Sequence, residues 1–264
     1  MRPPPDPVVE FGREVCGDPA LAERREWLVT NGLGGFAAGT IADVNTRRYH
    51  GLLVAALDPP FGRGVMRSKL DAVVRYQGVS YALSSNEFDD RSIDPRGYCH
   101  LERFYLLEGM PVWEYAVADA VVEKRVIMPH GKNTTLVRFT VLRADSELEL
   151  SLRPLCTHRD YHSHGQGGWD FKTLAVQNGF RINAYPGAQP YFVCTGGSAK
   201  VRESSGWYWR FRHRVEAERG LDESEDLFSP GLFEARVVQG EALIVAISTD
   251  SVGEPSFDQA LEDE

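Results

Sequence analysis

The sequence predicts an all-β protein: a large antiparallel β-sandwich of the supersandwich kind, with one short N-terminal helix and the start of a C-terminal helix. Three observations carry that expectation. Large apolar residues recur at every second position in LVRFTVL (136–142) and LELSLRPL (148–155), the period of a strand buried on one face. About fifteen short extended segments follow one another with turn signals between them, Gln77-Gly78 and Ala144-Asp145-Ser146 among them. The 264 residues are 42% apolar and 11% aromatic, enough to bury a sizeable core.

Taken in order, the chain opens on MRPPPDPVVEFG, rich in proline and without the apolar core of a signal peptide. Asp18-Pro19 followed by ALAERREWL has an N-cap, a proline at the first helical position and about two helical turns. It is the one convincing helix before the C-terminus. In WLVTNGLGGFAAG (27–39), Gly32, Gly34 and Ala37 match the spacing of a dinucleotide-binding turn. That motif needs a following helix and an acidic residue about 20 positions on. Here Gly39, Thr40, Ile41, the Asn45-Thr46 break and the run Leu52 to Leu57 favour short extended segments, and positions 49–57 hold no carboxylate. The glycines are therefore expected to form tight turns whose amides approach a ligand or another domain closely.

Strand patterning begins at VMRSKLDAVVRY and runs through VSYAL, FYLLE, VWEYAVA, AVVEKRVIM and NTTLVRFTVLR. It continues through FKTLAV, FRINAY, PYFVCTG, AKVRE, WYWRFRHRVE, ARVV and ALIVAIST. Alternation puts Trp207, Trp209 and Phe211 on one face, as core or as a sugar-stacking platform. Ser256 stands three residues before Gln259, a capping-box spacing, so a helix should start there. The expected organisation is a sandwich domain over 1–254, with 255–264 as a linker or helix start, unless those residues form an ordinary acidic tail.

The net charge of −9 argues against general nucleic-acid binding, with local exceptions at Arg47-Arg48 and Arg210 to Arg214. Cys16, Cys99, Cys156 and Cys194 are scattered and form no C-x-x-C pair, as expected of reduced thiols. No run is long and apolar enough for a membrane span. A soluble, cytoplasmic protein is expected, with neither nucleic acid nor membrane as partner.

NTRRYHGLL (45–53), taken with EWLVTNGLGGFAAGT upstream, resembles the N-terminal domain of the bacterial and archaeal type of glycogen debranching enzyme, the amylo-α-1,6-glucosidase family. The resemblance continues through SKLD (68–71), RPL (153–155), RDYH (159–162) and RGLDESEDLFSPG (219–231). It implies a β-sandwich followed by a larger α-helical toroid that carries the glycosidase acid and base. The chain stops where that toroid would begin, so the resemblance implies truncation and assigns no catalytic residue here. It also implies α-glucan partners (glycogen, limit dextrin, malto-oligosaccharide) and a C-terminal helical catalytic domain. No cofactor is expected.

Glycoside hydrolysis needs two carboxyl groups roughly 5 to 10 Å apart. Asp89-Asp90, Asp94, Glu223, Glu225 and Asp226 are the acidic candidates, and their Asn/Asp/Ser-rich settings favour turn formation. DLFSPG is expected to be a structured loop in which Asp226 bonds backbone amides and Pro230-Gly231 turns the chain. His158, His162 and His164 would share one face of an extended segment and could hold a metal if His50 or His130 joined them. Set against that, RDYHSHGQGGWDF has the composition of a sugar site, in which rings stack on C–H faces and planar polar groups take hydroxyls. The candidate cleft-lining residues are Arg159, Asp160, Tyr161, His162 and Trp169 from this segment and Asn45, Arg47, Arg48, Tyr49 and His50 from NTRRYHG. The plainer alternative makes Trp169 and Tyr161 core and Arg159-Asp160 a surface pair. Two rivals stand beside the glucan-contacting domain: a self-contained metalloenzyme and a purely structural module.

Overall fold

The alternating segments become two antiparallel sheets in the computed structural model, which describes residues 7–59, 61–197, 199–251 and 253–262. The proline-rich start as far as Asp6, and Asp263 and Glu264 at the other end, lie outside the described residues. The chain runs through β1 (Glu10–Phe11), α1 (Arg13–Cys16), α2 (Pro19–Ala22), β2 (Glu26–Thr30), β3 (Phe36–Thr40), β4 (Gly51–Asp58) and β5 (Gly62–Tyr76). Next come β6 (Val79–Ala82), β7 (Ser85–Glu87), β8 (Ile93–Arg96), β9 (Leu101–Leu107), β10 (Met110–Val117), β11 (Ala120–Ile127), β12 (Thr134–Arg143) and β13 (Leu148–Asp160). The remainder is β14 (Lys172–Val176), β15 (Gly179–Asn183), β16 (Tyr191–Thr195), β17 (Lys200–Arg212), α3 (Arg214–Glu218), β18 (Ser224–Val237), β19 (Ala242–Ser248) and α4 (Phe257–Glu262).

One sheet has the order β1-β9-β10-β11-β12-β19-β16-β15-β14; the other has β17-β18-β13-β5-β4-β3-β2, with β6 pairing on β5. Strands adjacent in sequence mostly pair as hairpins, closed by turns such as Gln77-Gly78, whose φ values of 50° and 81° suit a primed two-residue turn. The two inner faces share one core. Trp27 of β2 meets Trp113 of β10 edge to face at 5.3 Å, and Phe180 of β15 meets Phe233 of β18 at 5.7 Å. Val137, Phe139 and Val141 of β12 and Leu148, Leu150 and Leu152 of β13 all point into it, as their period requires.

A buried ionic cluster joins the sheets inside this core. Lys69 of β5 donates to Ser85 O and Asn86 Oδ1, while Asn86 donates to Asp71 at 2.8 Å. From the other sheet, Lys124 reaches Asp43 at 2.9 Å and lies over the Trp113 ring. Burial opposes ionisation of Asp43, but Lys124 and Lys69 outweigh it and hold its carboxyl below the usual range.

Several expectations are corrected. The predicted two-turn helix is only α2, one turn capped by Asp18 onto the Ala20 amide at 2.9 Å, and EWLVT is strand β2. α1 precedes it. WYWRFRHRVE does not remain extended: β17 ends at Arg212 and α3 follows. DLFSPG is part of strand β18, and a Cβ at Gly231 would overlap Arg202 O of β17, so the glycine permits strand pairing where a turn was expected. α4 starts as its spacing indicates, with Ser256 Oγ accepting from Gln259 N at 3.2 Å. Phe257 and Ala260 of α4 bury against Ile127, Leu136 and Ala246 on the outer side of the first sheet.

The NGLGG segment serves the fold. Gly32 and Gly34 have φ of 75° and 94°, and a Cβ on Gly32 would enter the His130 ring. Asn31, wholly buried, accepts from the Leu33 and Gly35 amides and donates to Lys132 O and Asn133 Oδ1. The close approach is to the chain's own 130–133 loop.

Candidate functional site

The loop between β3 and β4 carries NTRRYHG, and it is braced from behind. Asn45 donates to Ser68 Oγ at 2.9 Å. His50 is buried, and its Nδ1 accepts from the Thr46 amide at 3.1 Å, which leaves the ring proton on Nε2, 3.5 Å from Glu26 Oε1. Arg47 donates to the same carboxylate oxygen at 2.6 Å. The hydrogen bond from His50 first, and Arg47 after it, hold the Glu26 carboxyl down at about 2. Asn45, Arg47 and His50 thus fix the loop, and the next face belongs to Arg48 and Tyr49.

The end of β13 supplies the second segment. Arg159 is buried and forks onto Glu225 of β18, with Nη2 3.2 Å from Oε2; the same Nη2 donates to Arg48 O at 2.8 Å. It therefore ties one predicted motif to the other. Asp160 is exposed and accepts from the His162 amide at 2.8 Å, forming the turn that ends the strand and sends His162 outward. His162 Nδ1 lies 3.1 Å from Tyr49 Oη, which accepts from Arg48 Nη2 at 3.0 Å and so can donate to the ring. Tyr161 completes the aromatic corner at 5.7 Å from Tyr49.

Beneath this corner lie groups that the sequence did not mark. Glu216 of α3 is wholly buried; it accepts from the Arg48 amide at 3.3 Å and stands 3.8 Å from Arg48 Nε. α3 ends in a Schellman motif, with Gly220 (φ 71°) donating to Ala217 O and Leu221 to Glu216 O. His213 is buried beside the Arg159–Glu225 pair and 5.1 Å from the His164 ring. Burial, then Arg159 and His164, push its imidazole well below the usual histidine range. Glu225 lies 3.5 Å from His213 Nε2 but is committed to Arg159. Gly220 was the available signal: a glycine closing the charged run HRVEAERG marks a short helix.

Over these groups opens a cleft of about 830 Å³, lined by Arg48, His162, His164 and Gln166 on one side and by Asp89 and Leu221 to Ser224 on the other. A bay of about 670 Å³ adjoins it and shares Asp89, Gln166 and Ser224. Arg159 and Trp169 line a smaller recess of about 150 Å³ with His158 and Trp207. Trp169 is exposed and Tyr161 half-buried, so neither is sandwich core, and Arg159 belongs to no surface pair with Asp160. A separate groove of about 510 Å³ lies on the outer face of the second sheet, but its Arg75 and Arg236 already face Glu149 at 3.5 Å each.

The histidines do not converge. β13 ends at Asp160, so the extended face assumed for them breaks: His158 lies 3.2 Å from Gln189 O, His162 meets Tyr49, and His164 meets His213. Among the described residues there is no group of three or more His, Cys, Asp or Glu able to hold a metal. Of the acidic candidates, five are engaged locally: Asp89 accepts from Ser224 Oγ at 3.3 Å and Glu225 pairs with Arg159. Asp90 caps Ser92, Glu223 pairs with Arg212 at 2.6 Å, and Asp226 accepts from the Gly167 and Arg210 amides at 2.9 Å each. The four cysteines are free thiols, and no described helix is long and apolar enough to cross a membrane.

Residues 25–244 match the family model described as glycogen debranching enzyme N terminal. The chain belongs to this family. None of the curated proteins matches it. Among solved structures, a bacterial glucoamylase complexed with acarbose aligns over 100% of this chain at 11% identity and a TM-score of 0.39. The chain covers 35% of that structure's length, and a likeness of this size carries no argument about ligand. In this chain NTRRYHG and RDYH are thus two segments distant in sequence, joined by Arg159 and by the Tyr49–His162 contact.

Proposed function

We propose that this chain is the non-catalytic, glucan-contacting N-terminal domain of a cytoplasmic glycogen debranching enzyme, with its cleft presenting Arg48 and His162 to an α-glucan such as glycogen, limit dextrin or a malto-oligosaccharide. The observation that supports the reading is the meeting of the two motifs: Tyr49, Arg48 and His162 form one hydrogen-bonded chain on the wall of an open, polar cleft. A guanidinium, an imidazole and nearby exposed rings are the groups that take up sugar hydroxyls and C–H faces. Membership of the debranching-enzyme N-terminal family supports an α-glucan as the ligand class. The acid and base of hydrolysis would come from a helical catalytic domain; near this cleft Glu225 and Glu223 are paired with Arg159 and Arg212, and Asp226 holds backbone amides.

A tryptophan-fluorescence titration with maltoheptaose tests this. Saturable quenching, lost in both Arg48→Ala and His162→Ala, is the expected result. No binding up to about 10 mM, weaker than roughly −3 kcal/mol, would replace the glucan-contacting reading with that of a scaffold.

A further inference from the structure

Beyond the Arg48/His162 wall, one aromatic residue stands out from the pattern of its own strand. In an unbroken β17, Trp207, Trp209 and Phe211 would share a face. The pairing with β18 slips between Tyr208 and Phe211, where three steps on β17 match two on β18 (Tyr208 to Leu227, Phe211 to Glu225). A bulge of one residue follows, and everything beyond it changes face. Trp207 stays against the main core, whereas Phe211 is buried on the opposite side with Leu155 and Leu227. Trp209 falls on the bulge and belongs to neither, with 49% of its surface exposed.

The bulge is held firmly. Arg210 has φ 66°, a left-handed conformation that an ordinary residue adopts at a cost of about 1 kcal/mol or more. The Asp226 carboxylate fixes it by accepting from the Arg210 amide, and its other oxygen accepts from the Gly167 amide. Gly167 lies so close that a Cβ there would touch both Trp207 and Trp209. Trp207 backs Trp209 at 5.8 Å and 32°, so the second indole is immobilised on one side and open on the other. Around the open side are Asp89, Gln166, Arg210 and Ser224, and the Arg210 guanidinium has no ion-pair or hydrogen-bond partner among the described residues. Backbone strain that places an exposed, backed indole among free planar polar groups has no evident use in stability.

We propose that Trp209 is the stacking floor of a second, distal sugar subsite, with Arg210 and Gln166 as hydroxyl partners. The bay shares Asp89, Gln166 and Ser224 with the Arg48/His162 cleft, so one glucan chain can run through both. The ligand class is a linear α-glucan long enough to span the two bays. This rests on the glucan reading above and adds to it a preference for chain length.

The test is calorimetric titration of the chain with the series from maltose to maltoheptaose, using wild type, Trp209→Ala and Trp209→Phe. Wild-type affinity should rise along the series. Trp209→Ala should weaken the longest sugar about five- to tenfold while leaving the shortest binder unchanged, and Trp209→Phe should retain most of the gain. Because Trp209 is half exposed, all three proteins should melt within a few degrees of one another. If the wild type binds and Trp209→Ala shows the same rise with length, the distal subsite is overturned and the Arg48/His162 cleft stands. If the wild type binds none of the series, both fall.

Discussion

Two buried ionic clusters of similar composition lie in different parts of the sandwich. The Lys69–Asp43–Asp71–Lys124 cluster joins one sheet to the other in the interior, and none of its groups lines the Arg48/His162 cleft. The Arg159–Glu225 and Arg48–Glu216 pairs lie within one corner, and each holds a residue or a backbone segment that forms the cleft wall. Both remove charges from water and must compensate them in full. The difference teaches that burial and pairing alone do not mark a binding site: what separates the clusters is that the second ends on exposed side chains.

The comparison is sharpened most by removing one charge from the interior cluster. Lys69→Met leaves Asp71 without its paired cation and Asp43 with Lys124 alone, and should cost about 3–5 kcal/mol in urea unfolding, while glucan affinity per folded molecule is unchanged. Arg159→Met should cost about 3 kcal/mol and also abolish maltoheptaose binding, because Arg48 loses the guanidinium on its carbonyl. Equal loss of affinity in the two variants would erase the distinction between the clusters.

A smaller effect is expected from pH. His213 has a folded pKa below its unfolded value of about 6.5, so the unfolded chain binds the extra proton first. Its contribution is present above pH 6.5 and is lost as pH falls toward the lower folded value, at up to about 1.4 kcal/mol per pH unit. Stability curves of wild type and His213→Gln should therefore converge as pH drops from about 7 to 5. The smallest effect belongs to Tyr49→Phe, which removes the hydroxyl's contacts with Arg48 and His162 near the surface: stability should change by about 1 kcal/mol or less, with a measurable loss of sugar affinity.

Much of the fold was legible because its cause is local. The alternation in 136–142, the Gln77-Gly78 turn and the Ser256 cap each depend on a handful of neighbours, and each forms as read. The motif residues were legible as candidates, but their division of labour was not. Arg159 and Glu225 are 66 positions apart, so nothing near Arg159 shows that it is buried under the wall or that His50 braces from behind. The histidine face failed for a related reason: a period-2 argument holds only while the strand lasts, and Asp160 ends it. The bulge at Trp209 was likewise invisible, because register belongs to a pair of strands and cannot be inferred from one.

The order of the first sheet has a consequence for the chain during synthesis. β19 is the last strand in sequence among those described, yet it lies between β12 and β16 and bonds to both. Until residues 242–248 leave the ribosome, β9 to β12 and β14 to β16 are two fragments with facing unpaired edges. Nascent chains shorter than that should resist proteolysis poorly and recruit aggregation-suppressing factors, and protection should arrive in a single step once the missing strand joins the halves.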